Sequence, residues 1–158
     1  AELWEELVHV PLIIHVPGLP AAHLKVRRSA IDLTPTILDI FGVKPPPPLP
    51  PGQRGNDFVS GVSLVPDLTF PTGASPEERD VLIDMPDGPY NDPRRSLIHG
   101  DLKLTVSNGA SYELYDLAKD PEERQHLWDD PEQAKLVRPY YEAQRARLHE
   151  IRVTGDKK

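Results

Sequence analysis

The chain of 158 residues contains no cysteine. That excludes disulfides, thiolate catalysis and cysteine-ligated zinc within it. No apolar run approaches the roughly 18 residues of a membrane span. No signal-peptide pattern opens the sequence, although Ala1 need not be the native N-terminus. Positive charge is scarce: the formal net charge is −7, and the nearest basic clusters, Lys25-Val26-Arg27-Arg28 and Arg94-Arg95, are short enough for solvated loops. Nucleic-acid binding therefore has little footing. Apolar residues make up 38% of the chain, below the roughly 45–50% of ordinary globular domains. Nineteen prolines against ten glycines account for part of the shortfall. A modest core with long surface loops is expected, with apolar faces that another part of the same protein covers.

In the first half, Leu7-Val-His-Val-Pro-Leu-Ile-Ile-His-Val16 reads as a largely buried strand. Pro11 favours its start or an edge, because proline gives no N–H to a ladder. Pro17-Gly18 stops it. Few helices are present to cover such a strand, so it points to a missing partner and to marginal stability for this piece alone. Ile31, Ile37, Leu38 and Phe41 have helical spacing. Thr34 as N-cap, Pro35 in the first turn and Gly42 beyond the end predict a helix over 35–41. Pro45–Pro51 favours polyproline II, as a stiff loop or as a ligand for a proline-reading module. Gly61-Val62-Ser63-Leu64 lacks the second glycine of a nucleophile elbow and no strand precedes it, so it reads as a turn.

The second half has a different grain. Val81-Leu82-Ile83-Asp84-Met85 is a short strand, followed by a turn-rich loop over 87–93. Ser96-Leu97-Ile98 and Leu102–Val106 flank a Gly100-Asp101 hairpin. Asn108-Gly109 makes a second turn, and Tyr112–Leu117 is the next strand. Together they predict a meander of about four antiparallel strands. Asp120-Pro121-Glu122-Glu123 reads as a helical turn, and Asp130-Pro131 repeats the device at the head of a last helix. Leu136, Tyr140, Ala143, Ala146 or Arg147, and Ile151 define its apolar face, with Pro139 marking a kink or a late start. Residues 153–158 form a tail.

Six histidines invite a metal reading. His9 and His15 lie on one face of a strand but ~20 Å apart, too far for one ion. His99-Gly100-Asp101 offers two ligands from one turn and lacks a third; the alternative is a hairpin histidine that bonds locally or lines a cleft. Asp84, Asp87, Asp92 and Asp101 cluster around the hairpins. They are either an acid–base pair for glycoside chemistry or turn residues bonding their own backbone. Asp32 and Asp39 sit about two helical turns apart, where a cap role for Asp32 or Thr34 suffices.

Five segments follow one another in a fixed order: Trp4-Glu5-Glu6 with Val10-Pro11-Leu12-Ile13-Ile14, Pro17-Gly18, Ile31-Asp-Leu-Thr-Pro-Thr-Ile-Leu-Asp39, Tyr112-Glu-Leu-Tyr-Asp-Leu117, and Lys119-Asp-Pro-Glu-Glu-Arg124. Together they resemble the C-terminal part of a sulfatase of the alkaline-phosphatase-like superfamily, over about residues 1–130. The resemblance implies a fold class of α/β for the parent and α+β for this piece. Residues 1–79 would be the remnant of the α/β domain, with the loop 45–51, and 80–152 a four-stranded antiparallel subdomain with a helix. It implies calcium and formylglycine in the intact parent, whose Cys/Ser-x-Pro-x-Arg nucleophile motif and acidic metal ligands lie upstream of these segments. A sulfate-contacting lysine four residues before the Trp-Glu pair would fall ahead of Ala1, so no catalytic residue carries over. His9 stands where an arginine is frequent. By analogy with family loops that wall the substrate cleft, His99, Asp101 and Lys103 are candidate rim residues.

The expected partners are the N-terminal catalytic part of the same protein and a sulfated small molecule or glycan, with no nucleic acid and no membrane segment in this piece. The parent's compartment stays open, with a periplasmic or extracellular one compatible. Three rivals remain: a phosphate- or phosphonate-ester hydrolase of the same superfamily, a stand-alone binding module using the proline-rich segment, and a self-contained hydrolase built on the Asp/His cluster.

Overall fold

The computed structural model describes residues 2–45, 61–69 and 76–155, with side chains described as far as Ala146. Pro46–Pro51 of the proline-rich segment and residues 156–158 of the tail lie outside the described residues. Two compact units emerge, Ala1–Ile14 with Arg79–Ala146, and His15–Glu78 with Arg147–Lys158.

The first unit is built on four strands: β1 (Val81–Met85), β2 (Arg94–His99), β3 (Leu102–Ser107) and β4 (Ser111–Asp116). They pair in sequence order as an antiparallel meander, so the class is α+β within an α/β family architecture. Tight turns impose this order. Gly100 has φ 57° where β2 meets β3, and Asn108 (φ 52°) and Gly109 (φ 69°) turn β3 into β4. Asparagine and glycine tolerate that left-handed backbone better than other residues do.

The register sorts side chains by the two-residue period of a strand. Leu97, Leu104 and Leu114 lie opposite one another across β2, β3 and β4. All three are fully buried, and they form one core with Val106, Val137 and Tyr141. Each buried leucine contributes roughly 1.5–3 kcal/mol relative to exposure. The opposite face carries Ile98, Tyr115 and Leu117 with half-buried Val81 and Ile83. On that face Ser96 and Thr105, a cross-strand pair, share a buried hydroxyl hydrogen bond of 2.7 Å.

Val137 and Tyr141 come from the last helix, α4 (Pro131–Gly155), which takes in the first three residues of the expected tail. Asp130 starts it as expected, its carboxylate accepting the N–H groups of Glu132 (3.0 Å) and Gln133 (3.3 Å). The buried face is not the expected one. Leu136 and Tyr140 are 55% and 42% exposed, while Val137 and Tyr141 are buried. Adjacent apolar residues at 136/137 and 140/141 allow two faces by periodicity, and only packing on the sheet selects between them.

Two further expectations change. The run 7–16 carries no strand: Glu5–Val8 form a short helix, α1, and 9–16 are irregular. Pro11 removes a ladder donor, and among the described residues no strand lies beside it. Asp120–Glu123 make turns rather than a helix, because Glu123 takes a left-handed backbone (φ 54°).

In the second unit, a 3₁₀ turn (Ala30–Asp32) leads directly into α2 (Leu33–Ile40). The helix thus begins before Thr34, which lies inside it. Asp32 caps the entry: its carboxylate accepts Ser29 N–H at 3.3 Å and Val62 N–H at 2.8 Å. Thr36 Oγ1 donates to Asp32 O (2.6 Å) and accepts Leu64 N–H (2.8 Å), while Ser63 donates to Asp39 (2.5 Å). Gly61 has φ 99°, and a Cβ there would stand 2.5 Å from Ile31 O, so only glycine fits. The Gly61-Val62-Ser63-Leu64 turn is therefore tied to the Asp32–Asp39 segment, ahead of the short α3 (Val65–Leu68). Arg28, nearly enclosed, clasps Asp67 through two bonds of 2.6 and 3.1 Å.

Candidate functional site

Lys103 is the least expected side chain in the first unit. It sits in the middle of β3, opposite Ile98 and Tyr115, and is 0% exposed. Burying an ammonium is costly unless it is paired and fully hydrogen-bonded. Here Lys103 Nζ donates to Leu3 O at 2.6 Å and Glu5 Oε1 at 3.2 Å and is ion-paired with Glu123 Oε1 at 2.9 Å. The other oxygen of Glu123 accepts Glu5 N–H at 2.6 Å. Trp4 adds an edge-to-face contact with Tyr115, ring centroids 6.1 Å apart, and Glu2 pairs with Arg94. Residues 2–5 thus form a strap across the sheet face that α4 leaves uncovered.

This surrounds Tyr115 with negative charge. Its hydroxyl is pushed up to about 12, first by burial and then by the carboxylates of Glu113, Glu123 and Asp120. Tyr141 on the other face is also raised, chiefly by burial. Beside the strap, Trp4, Glu6, Pro121, Glu122 and Glu123 line an open pocket of about 250 Å³.

The candidate rim residues separate. Lys103 lies in the interior, where its ion pairs hold it, so it is no surface group of this unit. His99, at the end of β2, is about one-third exposed; its Nδ1 bonds Asp80 Oδ1 at 2.7 Å, and its ring stacks on Tyr140 with centroids 3.7 Å apart. Asp101 is exposed in the hairpin, and its backbone carbonyl accepts Leu117 N–H at 2.8 Å. His99 is therefore oriented by Asp80. Sequence reasoning missed Glu5, Glu123, Asp80 and Tyr140. A signal existed for the first two, since both stand in the segments that carry the family resemblance.

Two other carboxylates of this unit have basic partners. Asp84 is bound to Arg95 across the strands at 2.7 Å. Asp116 is held below the usual carboxylate range by its hydrogen bond from Lys119, whose own pKa rises in return. Among the described residues no group of three or more His, Cys, Asp or Glu could hold a metal ion. No described helix is long and apolar enough to cross a membrane.

No protein-family model matches the chain. Individual proteins do. The Delta 4,5-hexuronate-2-O-sulfatase of Bacteroides thetaiotaomicron is 28% identical over 147 residues, across 85% of this chain and 27% of the relative. Arylsulfatase K of Mus musculus is 34% identical over 136 residues, across 77% of this chain and 22% of the relative. The crystal structure of the phosphonate monoester hydrolase of Agrobacterium radiobacter superposes with a TM-score of 0.53 at 25% identity, across 80% of this chain and 26% of that one. The chain spans about a quarter of the length of the relatives it matches.

Proposed function

We propose, for a chain that belongs to the sulfatases of the alkaline-phosphatase-like superfamily and corresponds to their C-terminal part, that it completes the fold of a longer sulfuric ester hydrolase and lines one side of its substrate cleft. The observation that carries this reading is the stretch from Leu7, in α1, to Ile13. Ile13 is 91% exposed, and Leu7, Val10 and Leu12 are at least half exposed. A row of exposed large apolar side chains marks a surface that is covered in the complete molecule. The relatives' greater length supports the rest of the same polypeptide as the cover; in this reading 1–79 is the remnant of its α/β domain and 80–152 the appended subdomain.

On this reading the ester chemistry belongs to that remainder. The residues here do not fit the family's groups. The sequence has no cysteine and no Cys/Ser-x-Pro-x-Arg motif to give formylglycine, and the described residues have no carboxylate cluster for calcium. This chain's contribution is to shape and exclude water. His99, its ring oriented by Asp80 and Tyr140, and Asp101 are the proposed rim groups. The parent's proposed substrate is a sulfated small molecule or glycan, supported by the sulfatase relatives. Phosphonate or phosphate esters are the second reading, favoured by the structural likeness to a phosphonate monoester hydrolase.

The test compares this chain with the full-length protein on a chromogenic aryl sulfate with added calcium, and on an aryl phosphonate. An active parent beside a silent chain supports the reading. Turnover by the chain alone, lost in His99→Ala, would replace it with the self-contained hydrolase. A native start and stop around these 158 residues would instead favour the stand-alone binding module.

A further inference from the structure

We infer that Lys103 is a positioning residue: with Glu5 and Glu123 it clamps residues 2–5 onto the four-stranded sheet and so sets where the rest of the hydrolase stands over that sheet. The inference rests on the reading of the chain as part of a longer ester hydrolase.

The geometry is specific. An ammonium has three N–H donors; Lys103 gives hydrogen bonds to Leu3 O and Glu5 Oε1 and forms an ion pair with Glu123 Oε1. Glu5 is held twice, through its side chain by Lys103 and through its backbone N–H by Glu123 Oε2 at 2.6 Å. Glu123 reaches both partners from a left-handed backbone, φ 54°, a conformation unusual for a residue with a side chain. Its loop is braced by Asp120, whose carbonyl accepts Glu123 N–H at 3.1 Å and whose carboxylate accepts Gln125 N–H at 2.7 Å.

Stability alone does not call for a lysine here. A well-packed apolar side chain of similar volume often serves as well or better than a buried ion pair. What the charges add is register. If the strap slipped by one residue, Glu5 would leave Lys103, and an ammonium would stay buried short of an acceptor. The outer contacts of Glu2 with Arg94 and Trp4 with Tyr115 would be lost together with it. The clamp therefore admits one placement of residues 2–5. The exposed apolar segment begins only two residues further on, at Leu7. A strap fixed to one side of the sheet and continuous with the proposed docking surface couples the two.

The experiment uses the full-length protein with Lys103→Met and, as the milder variant that keeps the Lys103–Glu123 pair, Glu5→Gln. Hydrogen exchange is read at residues 5–9 and at residues 94–116, and kcat and KM are measured on the aryl ester the wild type turns over. Exchange at 5–9 is expected to rise at least about tenfold in both variants, with 94–116 within about twofold in Glu5→Gln. The same variants should lower kcat by at least about tenfold while KM changes by less than about threefold. Unchanged exchange at 5–9 in both variants overturns the clamp. Loss of protection across 94–116 in both makes Lys103 a core residue and overturns it as well. A released strap with unchanged kcat overturns the positioning role. If the wild type turns over no sulfate, phosphate or phosphonate ester, the hydrolase reading fails and the positioning role with it, while exchange still decides whether the clamp exists.

Discussion

The meander β1–β4 and the run 9–16 are both rich in β-branched and aliphatic residues, yet only the first is sheet. Each strand of the meander has its neighbour within a few residues, across turns that Gly100, Asn108 and Gly109 make easy. Its leucines meet Val137 and Tyr141 within the same unit. The run 9–16 has Pro11 near its middle and no described strand beside it, and its Val10, Leu12 and Ile13 are exposed. Apolar composition makes a strand only where a partner satisfies the backbone and a second layer covers the side chains. The contrast separates the part that this chain covers by itself from the part whose cover is proposed to lie in the rest of the polypeptide.

That contrast can be broken by mutation. Lys103→Ala should have the largest effect, lowering stability by about 3–5 kcal/mol because it strands the buried Glu123 and the partly buried Glu5; urea unfolding of the chain measures it. Leu104→Ala, at the centre of the sheet, should cost about 2–5 kcal/mol. Gly61→Ala should cost more than about 1 kcal/mol, since φ is positive and its Cβ would meet Ile31 O. A loss under a few tenths in thermal melts would contradict the close approach described there. Ile13→Ser is the control from the other side of the comparison. It should shift the isolated chain by no more than about 0.5 kcal/mol, yet destabilise the full-length protein measurably. Equal, negligible effects in both would remove the proposed docking surface.

The pH dependence sharpens the description of the strap face. Tyr115 has a folded pKa near 12 against an ordinary 10, so folding favours its neutral form. Its contribution is fully present below pH 10 and is lost as pH rises from 10 to 12. Tyr115→Phe should flatten the fall in melting temperature over that window relative to wild type. Parallel curves would place the hydroxyl in water.

Much of the first unit was legible because its signals are local. Short apolar runs between turn residues marked the strands, Asn108-Gly109 marked a turn, and Asp130-Pro131 marked the head of α4. The rest depended on tertiary contacts. Lysine reads as a surface residue, and only Glu5 and Glu123, far away in sequence, make burial of Lys103 tolerable. Glu123 reads as a first-turn helix acid until that pairing draws it into a left-handed turn. Leu136/Tyr140 and Val137/Tyr141 are equal by periodicity, and the sheet decides. His99 appeared beside Asp101 in sequence, but strand pairing brings it to Asp80. The cap role of Asp32 was readable, whereas its link to Val62 crosses thirty residues.

The most direct test of the central claim is complementation. The remainder of the longer protein, expressed without residues 1–158, is assayed for ester hydrolysis before and after addition of this chain. Activity that is absent from either part and returns on mixing or co-expression is the predicted result. A remainder that is fully active without this chain, or a chain that turns over substrate by itself, would contradict it.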